Sequence, residues 1–176
     1  MAPVRFVLAM FLVLVVSGLA QAQVVHRRNV PPGDATPEGG SFSVHFPVAF
    51  TDAQVSADDP HAATVTLYML TGADSDQIRF SATEMPMAGL EPKPMEDLMT
   101  GLRDKSGGTV ADVHHDSGGQ EMLSFALNTA DGGYYFRVIR AKNVQYMQVV
   151  QFPESARDKA TKMKDDFFNS FKLNKP

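Results

Sequence analysis

Residues 134–153 read YYFRVIRAKNVQYMQVVQFP. Two apolar runs flank Lys142-Asn143, a pair placed to turn a hairpin. In the first run Tyr134, Phe136 and Val138 oppose Tyr135 and Ile139. In the second, Tyr146 and Val150 oppose Met147 and Val149. A strand with one wet side is apolar on alternate residues only, whereas a strand apolar on both sides needs cover on both. The stretch therefore predicts a hairpin within a sheet that carries other elements on its two faces. Pro153 closes it, since proline cannot donate to a ladder.

Working outward, the 3.6-residue period takes over beyond Pro153. Ala156, Ala160, Met163, Phe167 and Phe171 form one stripe, with Phe168 at its edge and Asp158, Lys162, Asp165 and Asn169 opposite. This predicts an amphipathic helix lying on the sheet, with Ser155 as N-cap and Asp158 in the capping-box position. Upstream, residues 121–128 alternate around Leu123, Phe125 and Leu127, and Asp131-Gly132-Gly133 turns the chain. Residues 41–46, 64–70 and 77–83 alternate too, with TGADSD as turn chemistry between the last two. Pro94 opens a second helical pattern with Met95, Leu98, Met99 and Leu102 at i, i+3, i+4 and i+7. Acids in its first turn, bases in its last and Gly107-Gly108 beyond agree on its ends. Residues 109–116 form a weaker strand pattern. The expected fold is α+β: a central antiparallel sheet of about six or seven strands with two main helices packed on it, an α/β/α sandwich.

The first 22 residues stand apart. Arg5 precedes the apolar run FVLAMFLVLVV, and Ala20-Gln21-Ala22 supplies an A-x-A cleavage pattern. That order is a secretory signal peptide, too short in its apolar part to span a bilayer comfortably; a retained N-terminal anchor is the alternative. Residues 23–40 are rich in Pro, Gly and charge and read as a flexible lead-in. Residues 41–176 read as one domain. Removing 22 residues takes away one base and no acid, so 15 bases face 20 acids. This charge opposes electrostatic binding to nucleic acid or to an anionic membrane. With no cysteine, disulfides, lipid attachment at the cleavage point, thiol nucleophiles and thiolate metal ligands are excluded. The expected location is the bacterial periplasm, with secretion as the alternative and no stable membrane anchor after cleavage.

The opening FSVHFP, the late hairpin FRVIRAKNVQYMQVV and the closing FFNSFKL resemble the PsbP-like superfamily over roughly residues 41–173. That superfamily includes photosystem-associated proteins, small bacterial periplasmic proteins and a Ran-binding nuclear protein. The resemblance implies a central antiparallel sheet with helices on its faces. It implies no shared catalytic set, because the matching residues are packing residues.

The run DVHHDSGGQE at 112–121 invites a chemical reading. Asp-Ser-Gly-Gly is similar to the nucleophile loop of chymotrypsin-like proteases, with Ser117 as the serine. His115 stands where that family has glycine, and the other histidines lack the family's context. A hydroxyl needs an aligned base and an oxyanion hole before it attacks. As ligands, Asp112, His114 and Asp116 share a face if the strand is regular, at about 6.6 Å steps. A strand end leading into a Ser-Gly-Gly turn is the simplest reading. Met85 and Met87 flank Pro86 in a loop and are soft donors suited to Cu(I). Most other methionines fall on stripes where they fill a core. No cofactor is called for. The favoured reading is a non-enzymatic binding or scaffold domain whose partner is another periplasmic protein or peptide. The alternative is a soluble copper, zinc or small-ligand binder using Met85, Met87, Asp112, His114 and Asp116.

Overall fold

The computed structural model describes residues 22–57, 65–87, 93–118 and 120–174. The leader reading falls outside the described residues except at Ala22. In chain order the elements are β1 (Ala22–Val30), β2 (Gly33–Ala35), β3 (Phe42–Phe46), β4 (Phe50–Ala57), β5 (Val65–Ala73) and β6 (Arg79–Pro86). Then come α1 (Met95–Ser106), β7 (Thr109–Asp116), β8 (Glu121–Thr129), β9 (Gly132–Ala141), β10 (Val144–Pro153), α2 (Arg157–Asn169) and β11 (Lys172–Leu173).

Eight strands form one antiparallel sheet in the order β1-β4-β5-β6-β10-β9-β8-β7, and β11-β3-β2 form a second. The hairpin β9–β10 occupies the interior of the larger sheet, as its two apolar faces require. The expected sandwich around a six- or seven-stranded sheet is corrected. The fold is mostly β, with eleven strands in two sheets and two helices among the described residues. The missed strands have physical explanations. β1 and β4 carry HRRN and TDAQ where an apolar period would stand, and their backbone ladder holds them together. β2 and β11 are only three and two residues long. Residues 23–40, read as a flexible lead-in, contain β1 and β2.

Register assigns side chains to faces, because residues directly opposite in an antiparallel pair share one. Tyr146, Gln148, Val150 and Phe152 of β10 lie with Tyr135, Arg137 and Ile139 of β9 on the face that α2 covers. Met147 and Val149 lie with Phe136 and Val138 on the face that α1 covers. On the α2 face the small sheet contributes Phe42, Val44 and Phe46, all fully buried. The Phe167 ring meets Phe46 and Phe80 edge-on, each at 5.3 Å between centroids. Phe42 stacks on Phe171 at 5.3 Å. On the α1 face, Met95 and Leu102 pack on Leu123, Phe125, Leu127 and Met147. Helix α1 ends at Gly107, whose φ of 64° is the left-handed C-cap that glycine adopts freely.

One polar side chain sits at the centre of this core. Gln148 is 1 % exposed, and its Nε2 donates to the Phe167 carbonyl at 3.0 Å. Ser170 Oγ donates to the same carbonyl at 2.7 Å and accepts the His45 N–H at 3.0 Å. A carbonyl left over by the last turn of α2 is thus satisfied from the sheet below and from the following residue. Ser155 is not the N-cap that the sequence suggests. It lies in a 3₁₀ turn, Glu154–Ala156, and α2 begins at Arg157 without a side-chain cap bond. Arg157 instead grips Glu154 through Nε and Nη2, at 2.8 and 2.6 Å, and Asn128 Oδ1 through Nη1 at 2.8 Å.

Phe167→Ala is expected to lower stability by about 3–5 kcal/mol, read from the urea midpoint. A loss under about 1 kcal/mol contradicts the packing described. Lys142 turns the β9–β10 loop with a φ of 52°. Lys142→Gly should therefore raise stability by about 0.5–1 kcal/mol in the same assay.

Candidate functional site

The corner where β7 meets β8 gathers most of the residues singled out by sequence. β7 is an edge strand, exposed over Asp112–Asp116, with a bulge in its middle. Ala111 pairs with Ala126 and His114 with Ser124, so Asp112 and Val113 together oppose Phe125. Asp112 takes a φ of 52°, a conformation that aspartate tolerates better than most residues. The extra residue resets which face each side chain joins. His114 and Asp116 fall with Ser124 and Met122 on the α2 face, and His115 falls with Leu123 on the α1 face. Asp112 drops out of the ladder. The expected set of three ligands on one face is therefore reduced to His114 and Asp116.

On the α1 face a chain of polar contacts crosses the corner. His115 Nδ1 lies 2.8 Å from Glu96 Oε1, in the first turn of α1, and His115 Nε2 lies 3.6 Å from Glu121 Oε1. Arg140 Nη1 reaches Glu121 Oε2 at 3.4 Å, and Nη2 donates to Gln145 Oε1 at 3.1 Å. Arg140 is the most buried of the charged members, with its side chain 15 % exposed. The outer pairs are half in water, where such contacts contribute about 0.2–1 kcal/mol each. Both nitrogens of His115 face carboxylates.

On the α2 face of the same corner lies an open depression of about 490 Å³ lined by Asp116, Gln120, Met122 and Ile139. Asp116, Met122 and Ile139 stand side by side on three adjacent strands. Met122 and Ile139 give an apolar floor and Asp116 and Gln120 a polar rim. Asp116 also builds the turn, since its Oδ1 accepts the Gly118 N–H at 2.9 Å. The turn reading of HHDSGG accordingly describes the local structure, with Asp116 as the side chain that forms it.

The methionine candidates lie elsewhere. Met85 is on β6, opposite Gln145 and on the α1 face, against the small cluster of Val55, Leu67 and Met69. Met87 follows β6 and donates its N–H to the Asn143 carbonyl at 2.6 Å. β10, β9 and β8 separate β6 from β7, about 19 Å at ordinary strand spacing. Met85 and Met87 are thus not brought together with Asp112, His114 or Asp116. Among the described residues no three His, Asp or Glu side chains form a group able to hold an ion. His45 pairs with Asp34 across β2–β3 at 2.8 Å; His61 lies outside the described residues.

Two acids that sequence reasoning passed over are buried on the α2 face. Asp52, 2 % exposed, accepts from Arg28 Nη2 at 2.9 Å and from the Glu38 N–H at 3.3 Å. Glu84 accepts the Ser41 N–H at 2.6 Å, and Ser41 Oγ shares a 2.7 Å hydrogen bond with the Tyr146 hydroxyl. Together they hold the β2–β3 connection onto the sheet. A usable signal was present: Asp52 shares the parity of Phe50, and Glu84 that of Phe80 and Ala82. No family model matches the chain, and neither a curated protein nor a solved structure resembles it significantly.

Burial pushes the Tyr146 phenol above its ordinary value of 10; the Ser41 hydrogen bond works against this and the Glu84 charge adds to it. The folded state thus holds that proton more tightly than the unfolded state. Its contribution to stability is complete below pH about 10 and is lost as pH rises through the folded value. Urea midpoints measured from neutral to strongly alkaline pH should fall above pH about 10, and less steeply in Tyr146→Phe. An identical alkaline slope in the variant contradicts the assignment.

Proposed function

We propose that the protein is an exported, non-enzymatic binding domain that takes a periplasmic protein or peptide at the β7–β8 corner. The observation that carries this reading is the depression with an apolar floor, Met122 and Ile139, beneath a polar rim of Asp116 and Gln120 at the edge of the sheet. Asp116 supplies the charge of that rim and Gln120 a neutral polar group. The fitting partner is an extended segment that places an aliphatic side chain on the floor and a Lys or Arg against the rim. The non-enzymatic part of the reading draws support from His115, whose ring nitrogens face Glu96 and Glu121, and from Asp116, which shapes the turn holding Ser117. The separation of the methionine and carboxylate donors favours this reading over a copper or zinc carrier.

A random peptide library displayed on phage tests the proposal. Enriched sequences should pair an aliphatic residue with a neighbouring Lys or Arg. Met122→Ala should weaken their binding about tenfold, and Asp116→Asn about two- to fivefold. Raising the salt concentration should weaken it further. Enrichment of nothing, or of peptides indifferent to both substitutions, rejects the site.

A further inference from the structure

Strand β1 is attached to the rest of the molecule in an unusual way. It lies at the end of the large sheet and pairs with β4 from Ala22↔Ala57 to Val30↔Phe50, with a register shift between Val24 and His26. Among its described side chains, Val24 is 58 % exposed, Arg27, Arg28 and Asn29 are exposed, and Val30, beside the hinge, packs partly against the main cluster. Among the described residues the arm is held by its backbone ladder, the Arg28–Asp52 ion pair and the hydrogen bond that the Thr51 hydroxyl donates to Asn29 Oδ1.

Pro31 and Pro32 then carry the chain out of the large sheet, and Gly33 starts β2 in the small one. Two prolines fix their own φ and keep Val30 and Pro31 extended. The sharp change of direction is left to Gly33, whose φ of 143° is a conformation that side chains disfavour. A short connection of this kind, stiff at the prolines and strained at Gly33, is one that invites exchange of the arm it carries.

An arm that merely detached would leave Asp52 buried with the Glu38 N–H as its remaining donor, and a buried carboxylate without its countercharge is strongly disfavoured. The β1 of a second copy restores the same ladder and the same Arg28–Asp52 pair. Closed and exchanged arrangements then make identical contacts, and hinge strain and concentration decide between them. We propose that two copies of this chain exchange their β1 arms, each completing the β4 edge of the other. This rests on the hinge and on Asp52, independently of the β7–β8 corner.

The chain has no cysteine, so an introduced pair reports without interference. Asn29 and Thr51 are opposite in register, with side chains 3.1 Å apart. The full chain carrying Asn29→Cys and Thr51→Cys is oxidised at micromolar and at near-millimolar concentration and run on a non-reducing gel. Arg27→Cys with Ala53→Cys serves as a second reporter on the same ladder. Light scattering gives the mass of the unsubstituted chain. Exchange predicts disulfide-linked dimers whose share rises with concentration, a dimer by light scattering, and a severalfold smaller dimer share after Pro31→Ala with Pro32→Ala. Internal disulfides alone at every concentration overturn the proposal, whether light scattering gives a monomer or a dimer, as does a monomer mass when neither reporter forms a disulfide.

Discussion

The fold follows from one constraint: the β9–β10 hairpin is apolar on both faces and needs cover on both. The chain answers with unequal layers. On one side a single amphipathic helix, α1, lies against β7 and β8 and extends Met95 and Leu102 into the apolar cluster on that face. On the other, α2 shares the work with the small β11-β3-β2 sheet, and the two meet around Phe46, Phe167 and Phe42. A ring cluster of this kind provides a large apolar area with few rotatable bonds to freeze. Gln148 fixes where α2 can sit. Its amide beneath the Phe167 carbonyl loses a partner if the helix slides, and an orphaned buried polar group costs about 1–3 kcal/mol.

How much of this could be read in advance depended on whether apolar side chains carried the information. The hairpin, β3, β8 and α1 were legible because their periods and end signals agree. Helix α1 begins and ends where its acids, bases and Gly107 place it. Strands β1 and β4 were not legible. Their pairing is made of backbone hydrogen bonds and an Arg–Asp contact, neither of which leaves a hydrophobic period. The β2–β3 connection was missed for a related reason. It is fastened by Glu84 and Asp52, residues whose charge suggests a solvent face while their parity along the strand points inward.

At the corner, the sequence read correctly as a turn but incorrectly as a regular strand. One inserted residue, Asp112, drops out of the ladder and so leaves the face that His114 and Asp116 share. Strand parity is an argument about alternation, and a bulge cancels it wherever it occurs. Of the set that sequence spacing grouped, Asp116 frames the depression beside Met122, while His115, outside that set, ties the sheet to α1 through Glu96.

The same bulge bears on how copies of this molecule can grow together. An open sheet has two free borders, and unlimited fibril growth by edge-to-edge stacking requires both to accept a neighbour. At the β7 border the kink at Asp112, followed by His114, His115 and Asp116, breaks the straight row of amides that a stacking strand needs. Should the β1 arms exchange as proposed, each β4 edge is filled reciprocally within one pair of copies, so the exchange itself closes at two.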